Sequence, residues 1–446
     1  MAKGQSNLQA GSTDGRGWPE SSLILAIAFL LAYQGYTLSI VGVAAPWIAS
    51  SFKLSESGLA RMFAWMSLAA FGALALARLA DKFGRRRIIL LCLASAPIFA
   101  ASAAVVRSAA VFTTLQMFTA ALLGGSVSSA IVLLAEELPV KHRARGQAYA
   151  ALASAAGGVL GYILIPFLLA WGYSWRWLMI PCAGGLALLP LVLKMLPADR
   201  AVESQPGDLR VELSRCSRFY DVLHPLYRRR ALALLSCAAL DTMAGTAVNG
   251  WLYFEAVSII GLSPRNASTL VVAGMVFGMI GFPAGAWTAE RFGRVPTVSY
   301  FGGAAWIGAV MFYLGPPRSV TWPLVWLLIV YCWFKFGSSV MTVGANSAAT
   351  ELFPASLRAT MIGWQGMTAA IFAMLAQLLI AVLIDPLGGL NSVVRYFALL
   401  GFPSAAIFRC FIEETRDLPI HITSREDEWA QVLPTLHYHS SQTRSV

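Results

Sequence analysis

Asp241 and Lys335 lie deep inside apolar sequence, "LALLSCAALDTMAGTAVNGWLYFEAV" and "LVWLLIVYCWFKFGSSVMTVGA". A charge at the centre of a membrane helix costs about 2.5–3.5 kcal/mol on insertion scales, so such residues face a cavity or a partner. A carboxylate and an ammonium placed there can neutralise each other, hold a ligand of opposite charge, or exchange a proton. At 1.5 Å per residue, Asp241 stands roughly 16 Å from Arg230 along its helix, and Lys335 roughly 24 Å from Glu351 along its own. The expectation is one polar site at midplane depth, with the two groups paired when it is empty. Glu255, further along the run that holds Asp241, is a second carboxylate able to couple to protons.

Other apolar runs carry few polar groups. Tyr33, Gln34 and Thr37, then Gln116, Asn249, Trp364 and Gln365 complete the set of candidate substrate contacts with Asp241 and Lys335. The competing role for each is glue between membrane helices. Trp171, Trp175 and Trp177 read as an interfacial aromatic belt.

A second kind of chemistry is written twice. "EELPVKHRA" (Glu136–Ala144) returns half a chain later as "ELFPASLRA" (Glu351–Ala359), and "ARLADKFGRRR" (Ala77–Arg87) returns as "AWTAERFGRVP" (Ala286–Pro296). Acids and bases recur at matching offsets: Asp81, Arg85, Glu136 and Arg143 in the first half, Glu290, Arg294, Glu351 and Arg358 in the second. Clustered arginines beside glutamates at helix ends form ion pairs between helices. These eight are expected to gate, as a latch that holds the basic ends of the two halves together.

The elements that must position these groups are membrane helices. Of 446 residues, 57% are hydrophobic and 12% charged, against about 25% charged in a soluble domain, and the mean hydropathy is +0.65. Twelve runs are long enough to span a bilayer: 22–44, 58–79, 88–106, 111–137, 147–171, 176–196, 230–256, 267–289, 296–314, 322–351, 360–384 and 393–411. They divide into a polar tail (1–21), a six-helix bundle (22–196), a hydrophilic linker (197–229), a second six-helix bundle (230–411) and a polar tail (412–446). Most of the 33 Lys and Arg fall in loops on one side, which predicts cytoplasmic termini and explains the net charge of +11 as topology rather than a nucleic-acid footprint. Both duplicated motifs fall on that basic side in each half, as a parallel repeat requires. No nucleophile/base pair, metal-ligand spacing or nucleotide loop is present, so neither an enzyme, a cofactor nor a metal site is expected.

Together these motifs resemble the major facilitator superfamily over roughly residues 20–418, and within it the sugar-porter-like branch and the bacterial metabolite and aromatic-acid symporters. "ADKFGRRR", the E-x6-R spacing at Glu136/Arg143 and Glu351/Arg358, "GYSWRWLMIP" and "FIEETRDLPI" carry the likeness to the first. "YQGYTLSIVGVAAPWI" and "NGWLYFEAVSIIGLSP" carry that to the second. The resemblance implies an all-α protein of twelve helices whose spans one, four, seven and ten line a central cavity. Where that family carries D-G-x-D in span one, this chain has Gln34, Gly35, Tyr36 and Thr37, so coupling through the first helix is not expected. The reading is a monomeric transporter of the inner (plasma) membrane that moves a small organic metabolite, an organic acid first, by alternating access, with protons as the candidate coupling ion. An organic-cation or drug exporter and a non-transporting membrane sensor are the alternatives.

Overall fold

The computed structural model describes residues 20–138, 140–196, 220–317, 319, 321–416, 418, 423–425 and 428–429, with backbone alone at 20, 135, 136, 140–145, 147, 355, 356 and 359. The described residues form helices joined by short turns. Eleven helices are long and apolar enough to cross a membrane: Ser21–Phe52, Glu56–Phe83, Ala109–Leu134, Ala148–Ala170, Trp175–Met195, Pro225–Ile259, Pro264–Phe292, Arg294–Leu314, Pro323–Glu351, Thr360–Leu383 and Leu390–Phe411. The remaining one, Arg85–Ser102, opens with three arginines, which lowers its hydropathy without shortening it. It packs with its neighbours in the first bundle. These twelve are spans 1–12 in chain order.

Helix starts follow local chemistry. Pro225, Pro264 and Pro323 each sit at the first turn, where a missing N–H costs nothing. Ser55 and Ser263 accept hydrogen bonds from the backbone N–H of Gly58 and Asn266. Span 7 therefore begins at Pro225, five residues before the apolar run itself. Gly84 and Gly293, the glycines of the duplicated FGR sequences, both have positive φ (99° and 103°), a conformation glycine adopts without a Cβ penalty.

The repeat in the sequence is a repeat in packing. Span 1 lies against span 5 and span 2 against span 4; in the second half span 7 lies against span 11 and span 8 against span 10. With no hydrophobic drive between helices in lipid, close backbone approach supplies the attraction. A Cβ at Gly157 would stand 1.9 Å from the Ala32 carbonyl oxygen, and one at Gly35 2.0 Å from that of Ser154.

The two ends of the molecule are packed differently. At the end opposite the basic loops, one cluster of buried residues runs through both halves, from Tyr36, Ile48 and Leu178 to Trp251, Tyr313 and Phe397. At the basic end the halves have separate cores, Leu23–Leu196 in the first and Val222–Trp429 in the second. The halves share one core at the far end and have separate cores at the basic end. Gly157→Leu is expected to lower the melting temperature in detergent, because overpacking costs about 1–3 kcal/mol. Gly42→Leu, on span 1 where nothing lies within 4 Å of the added Cβ, is expected to leave it unchanged; equal melting temperatures would show that spans 1 and 5 are not locked at Gly157.

Candidate functional site

The second half holds a cavity of about 510 Å³. One face of span 7 supplies Asp241, Thr242, Gly245 and Asn249; spans 9, 10, 11 and 12 add Trp306, Thr342, Gln365 and Phe408. The spacing 241, 242, 245, 249 is one stripe of a helix. Gly245 keeps the stripe open, since apart from the Asn249 amide at 4.0 Å nothing lies near its missing Cβ.

Asp241 and Lys335 do not pair. Ser404 Oγ donates to Asp241 Oδ2 (2.8 Å), and Lys335 Nζ donates to Asn249 Oδ1 (3.4 Å). The physical reason is depth. Lys335 stands level with Asn249, two turns and about 12 Å further along span 7 than Asp241. The expected ion pair is thus replaced by two polar poles at opposite ends of one helix face. Asn249 also donates to the Gly245 carbonyl (3.0 Å), which fixes its amide with the oxygen toward Lys335. Gln365 joins this cavity. Trp364, its neighbour, packs instead against the core at the basic end of the second half.

The candidates from the first half spend their polar groups on packing. Tyr33 donates to the Cys182 carbonyl (3.0 Å), Thr37 to the Tyr33 carbonyl (2.9 Å) and Gln116 to Met179 Sδ (3.5 Å). Gln34 accepts from Ser154 Oγ (3.2 Å), tying span 1 to span 5. Trp175 is not a belt residue: it is 3% exposed, and its indole donates to Ser51 Oγ (2.9 Å).

Glu255 stands apart from the cavity. It is fully buried in a π-helical turn, Glu255–Ile259, that ends span 7. Asn391 Nδ2 donates to its Oε1, and its Oε2 has no partner. This turn belongs to the seal at the far end. Trp47 and Tyr162 of the first half meet Tyr253 (ring centroids 6.3 and 5.4 Å), and Phe63 meets Trp251 edge-on (5.3 Å). Glu56 Oε2 accepts from the Leu390 N–H (3.1 Å), joining span 2 to span 12 across the same seam.

Residues 25–376 match the Major Facilitator Superfamily. The chain belongs to that superfamily. It is 24% identical over 385 residues to the gentisate transporter of Corynebacterium glutamicum, covering 84% of each chain. It is 26% identical over 423 residues to the gallate transporter of Pseudomonas putida, covering 86% of this chain and 89% of that one. In structure it is similar to the inward-open xylose transporter of E. coli, with a TM-score of 0.71 and 13% identity over 91% of this chain and 99% of that one. The architecture is the superfamily's twelve-helix fold, and the protein is a multi-pass protein of the inner (plasma) membrane.

Several of the duplicated acids and bases have partners within their own half. Arg294 pairs with Glu351 (3.0 Å), whose other oxygen accepts from Thr415. Arg85 pairs with Asp81 (3.3 Å), and Arg358 Nε donates to the Phe353 carbonyl (2.9 Å). Glu290 is exposed. The side chains of Glu136 and Arg143 lie outside the described residues. The ion pairs Arg85–Asp81 and Arg294–Glu351 each lie inside one half.

The tail after span 12 reinforces the second half. Glu414 accepts from the N–H groups of Arg294 (2.8 Å) and Val295 (2.9 Å) at the start of span 9, where the helix dipole favours an anion. Arg230 binds Glu413 and the Thr423 carbonyl (2.7 Å).

Sequence reasoning missed Trp306, Ser404, Asn391 and Glu56. Trp306 reads as one more apolar residue, and the others are single polar residues whose partners lie 80 positions or more away in the chain. Three aromatic contacts across the seam, each contributing about 0.5–1.5 kcal/mol beyond area burial, hold the far end shut. Spin labels at Val105 and Trp322, exposed positions on the far side of the two halves, are expected to give one short distance in the parent. Adding Phe63→Ala and Tyr253→Ala should add a longer population; an unchanged distribution would show that these rings do not close the far end.

Proposed function

We propose that this protein carries a small organic acid across the bilayer by alternating access, with the basic end facing the cytoplasm and the structure representing the inward-open state. The observation that carries the reading is the pole at Asn249 and Lys335. The Asn249 amide lines the cavity, and the Lys335 ammonium donates to it from beside the lining. A carboxylate accepts two hydrogen bonds in that position, one from Lys335 Nζ and one from the Asn249 amide once it turns. The relatives named for gentisate and gallate support an acid as the cargo. The basic loops support the orientation, because Lys and Arg accumulate on the cytoplasmic side.

The family and its relatives support transport rather than catalysis. One chain supplies both halves and the cavity, so the reading is a monomer. Proton coupling rests on Asp241 and Glu255, buried carboxylates at two depths of span 7. Asp241 borders the cavity, and Glu255 lies in the seal that must break for the far end to open. A carboxylate in each place lets protonation report on ligand and gate separately.

In proteoliposomes, uptake of small aromatic carboxylates is expected to saturate. Lys335→Met should weaken binding about tenfold or more, because a hydrogen bond to a charged group is worth about 1.5–3 kcal/mol. Uptake driven by a pH gradient is expected to lose that drive in Asp241→Asn or in Glu255→Gln. Preference for organic cations over every acid tried would overturn the reading, and pH-driven uptake intact in both carboxylate variants would move the coupling elsewhere.

A further inference from the structure

A cavity of about 810 Å³ lies at the far end, away from the substrate site. It is a groove on the seam between the halves. The last turns of span 5 form one wall, with Ile163, Phe167 and Ala170, and the first turns of span 8 form the other, with Val272 and Ala273. The substrate cavity is lined instead by spans 7 and 9–12. Ile163 and Phe167 are large, apolar and exposed, as side chains that face hydrocarbon are. At Ala273 a second apolar groove of about 440 Å³ continues toward the midplane, between Phe277 and Ile280 of span 8 and Ile329 and Trp333 of span 10. From Arg265 to Ile280 is 15 residues, or about 22 Å of helix. Half of a hydrocarbon core of about 30 Å is about 15 Å, so the two grooves together are long enough for an acyl chain to cross its leaflet.

The mouth of the groove carries one charge. Arg265 stands there, against the bias that puts most Lys and Arg on the other side of the chain. It is exposed, and among the described residues its guanidinium has no carboxylate partner. The hydroxyls beside it are occupied: Thr269 Oγ1 donates to the Arg265 carbonyl (2.9 Å), and Ser263 Oγ accepts from the Asn266 N–H (3.3 Å). Span 8 begins at Pro264, so the positive end of its dipole adds to the guanidinium. The groove lining holds no acid. It matches an anion, and it offers nothing to the cation of a zwitterionic headgroup.

We propose that this groove binds an acidic glycerophospholipid, its phosphate on Arg265 and an acyl chain between spans 5 and 8, and that the bound lipid holds the far end closed. Guanidinium and phosphate match in a bidentate geometry. The link to the far end is the floor of the groove. Tyr162 and Ser268 line it, and both meet Tyr253 of the seal, Tyr162 by its ring (5.4 Å) and Ser268 by its hydroxyl (3.2 Å). The two walls belong to different halves, so parting the halves at this end takes the groove apart. A ligand that fits one state alone shifts the population toward it. That consequence rests on the alternating-access reading, whereas the binding itself does not.

The binding test is native mass spectrometry on the purified full chain, with phosphatidylglycerol and phosphatidylcholine of equal acyl chains. The parent is expected to retain one phosphatidylglycerol at least about fivefold over phosphatidylcholine, as one arginine near an anionic lipid gives. Arg265→Gln should bring the ratio to one, and Arg265→Lys should keep most of it. Ala273→Trp, which fills the point where the grooves meet, should lower retention of both lipids. Equal retention by the parent, a preference that survives Arg265→Gln, or retention unchanged in Ala273→Trp overturns the site. Displacement of the lipid by soluble glycerol phosphate, or a dimer that forms in place of the lipid adduct, overturns the lipid as its occupant. Spin labels at Val105 and Trp322 test the consequence. Nanodiscs of phosphatidylglycerol should enlarge the short-distance population relative to phosphatidylcholine, and Arg265→Gln should remove the difference. Identical distributions in the two lipids, with the mass-spectrometric preference intact, would overturn the hold on the far end alone.

Discussion

Hydrocarbon offers no hydrogen bonds, so each polar side chain in a span has to find its partner within the protein or face the cleft. That constraint divides the polar residues of this transporter into two sets. Tyr33, Tyr36 and Gln116 in the first half, and Tyr313 and the Trp251–Gln377 pair in the second, hydrogen-bond to neighbouring helices, and Thr37 to the turn before it in span 1. They hold the bundles together and have nothing left for a ligand. Asn249, Lys335, Asp241 and Trp306 retain capacity or face the cavity. The partition of hydrogen bonds, more than residue type, separates scaffold from site.

The same constraint makes the two ends unlike. The far end is closed by rings in contact across the seam, an arrangement that excludes water and resists opening in steps. The basic end is held, within each half, by ion pairs, and in the second half by a tail that adds polar contacts and buries Trp429 against Tyr227. Exposed ion pairs such as Asp81–Arg85 contribute about 0–1 kcal/mol. Ring contacts that must all break together impose a larger threshold, of the order of a few kcal/mol. A transporter cycling between two states needs them within a few kcal/mol of each other. The closed far end therefore requires compensation when it opens, and re-forming contacts between the basic ends is the available source. Glu351 is already divided between Arg294 and Thr415, so any contact it makes across the cleft must displace one of these.

Much of the architecture was legible in the sequence because it is periodic. Twelve apolar runs, the basic loops and the duplicated motifs give the helices and the repeat directly. The site was legible only in part. Asp241, Asn249, Lys335 and Gln365 stand out because ionisable or amide groups are costly in hydrocarbon. Their mutual arrangement did not, because it depends on helix depth: counting rise per residue already set Lys335 about 8 Å beyond Asp241, and the structure places it higher still, at Asn249. Tyr33, Thr37 and Gln116 carry the same composition signal as site residues, yet they turn to partners more than a helix away or one turn back. Trp306 and Ser404 carry no signal at all until span 9, span 12 and span 7 are seen together.

All three ionisable residues at depth, Asp241, Glu255 and Lys335, belong to the second half, and the positions where related symporters carry carboxylates in span 1 hold Gln34 and Thr37. The halves consequently have different work. The second half carries the buried charges and the amide at or beside the cavity. The first half presents span 1 and span 5 locked at Gly35 and Gly157, a stiff wall whose polar groups are internally spent. It touches the second half through rings at the far end. Among the described residues, the polar groups at the cavity have their hydrogen-bond partners in the second half, so such a wall can rock without disturbing them. Gln34, bonded to Ser154, moves with the wall as one body, whereas Glu255 sits where the wall's rings meet span 7. Glu255 is thus the ionisable group that lies at the seam between the halves, while Asp241 accepts from Ser404 on span 12, within the second half.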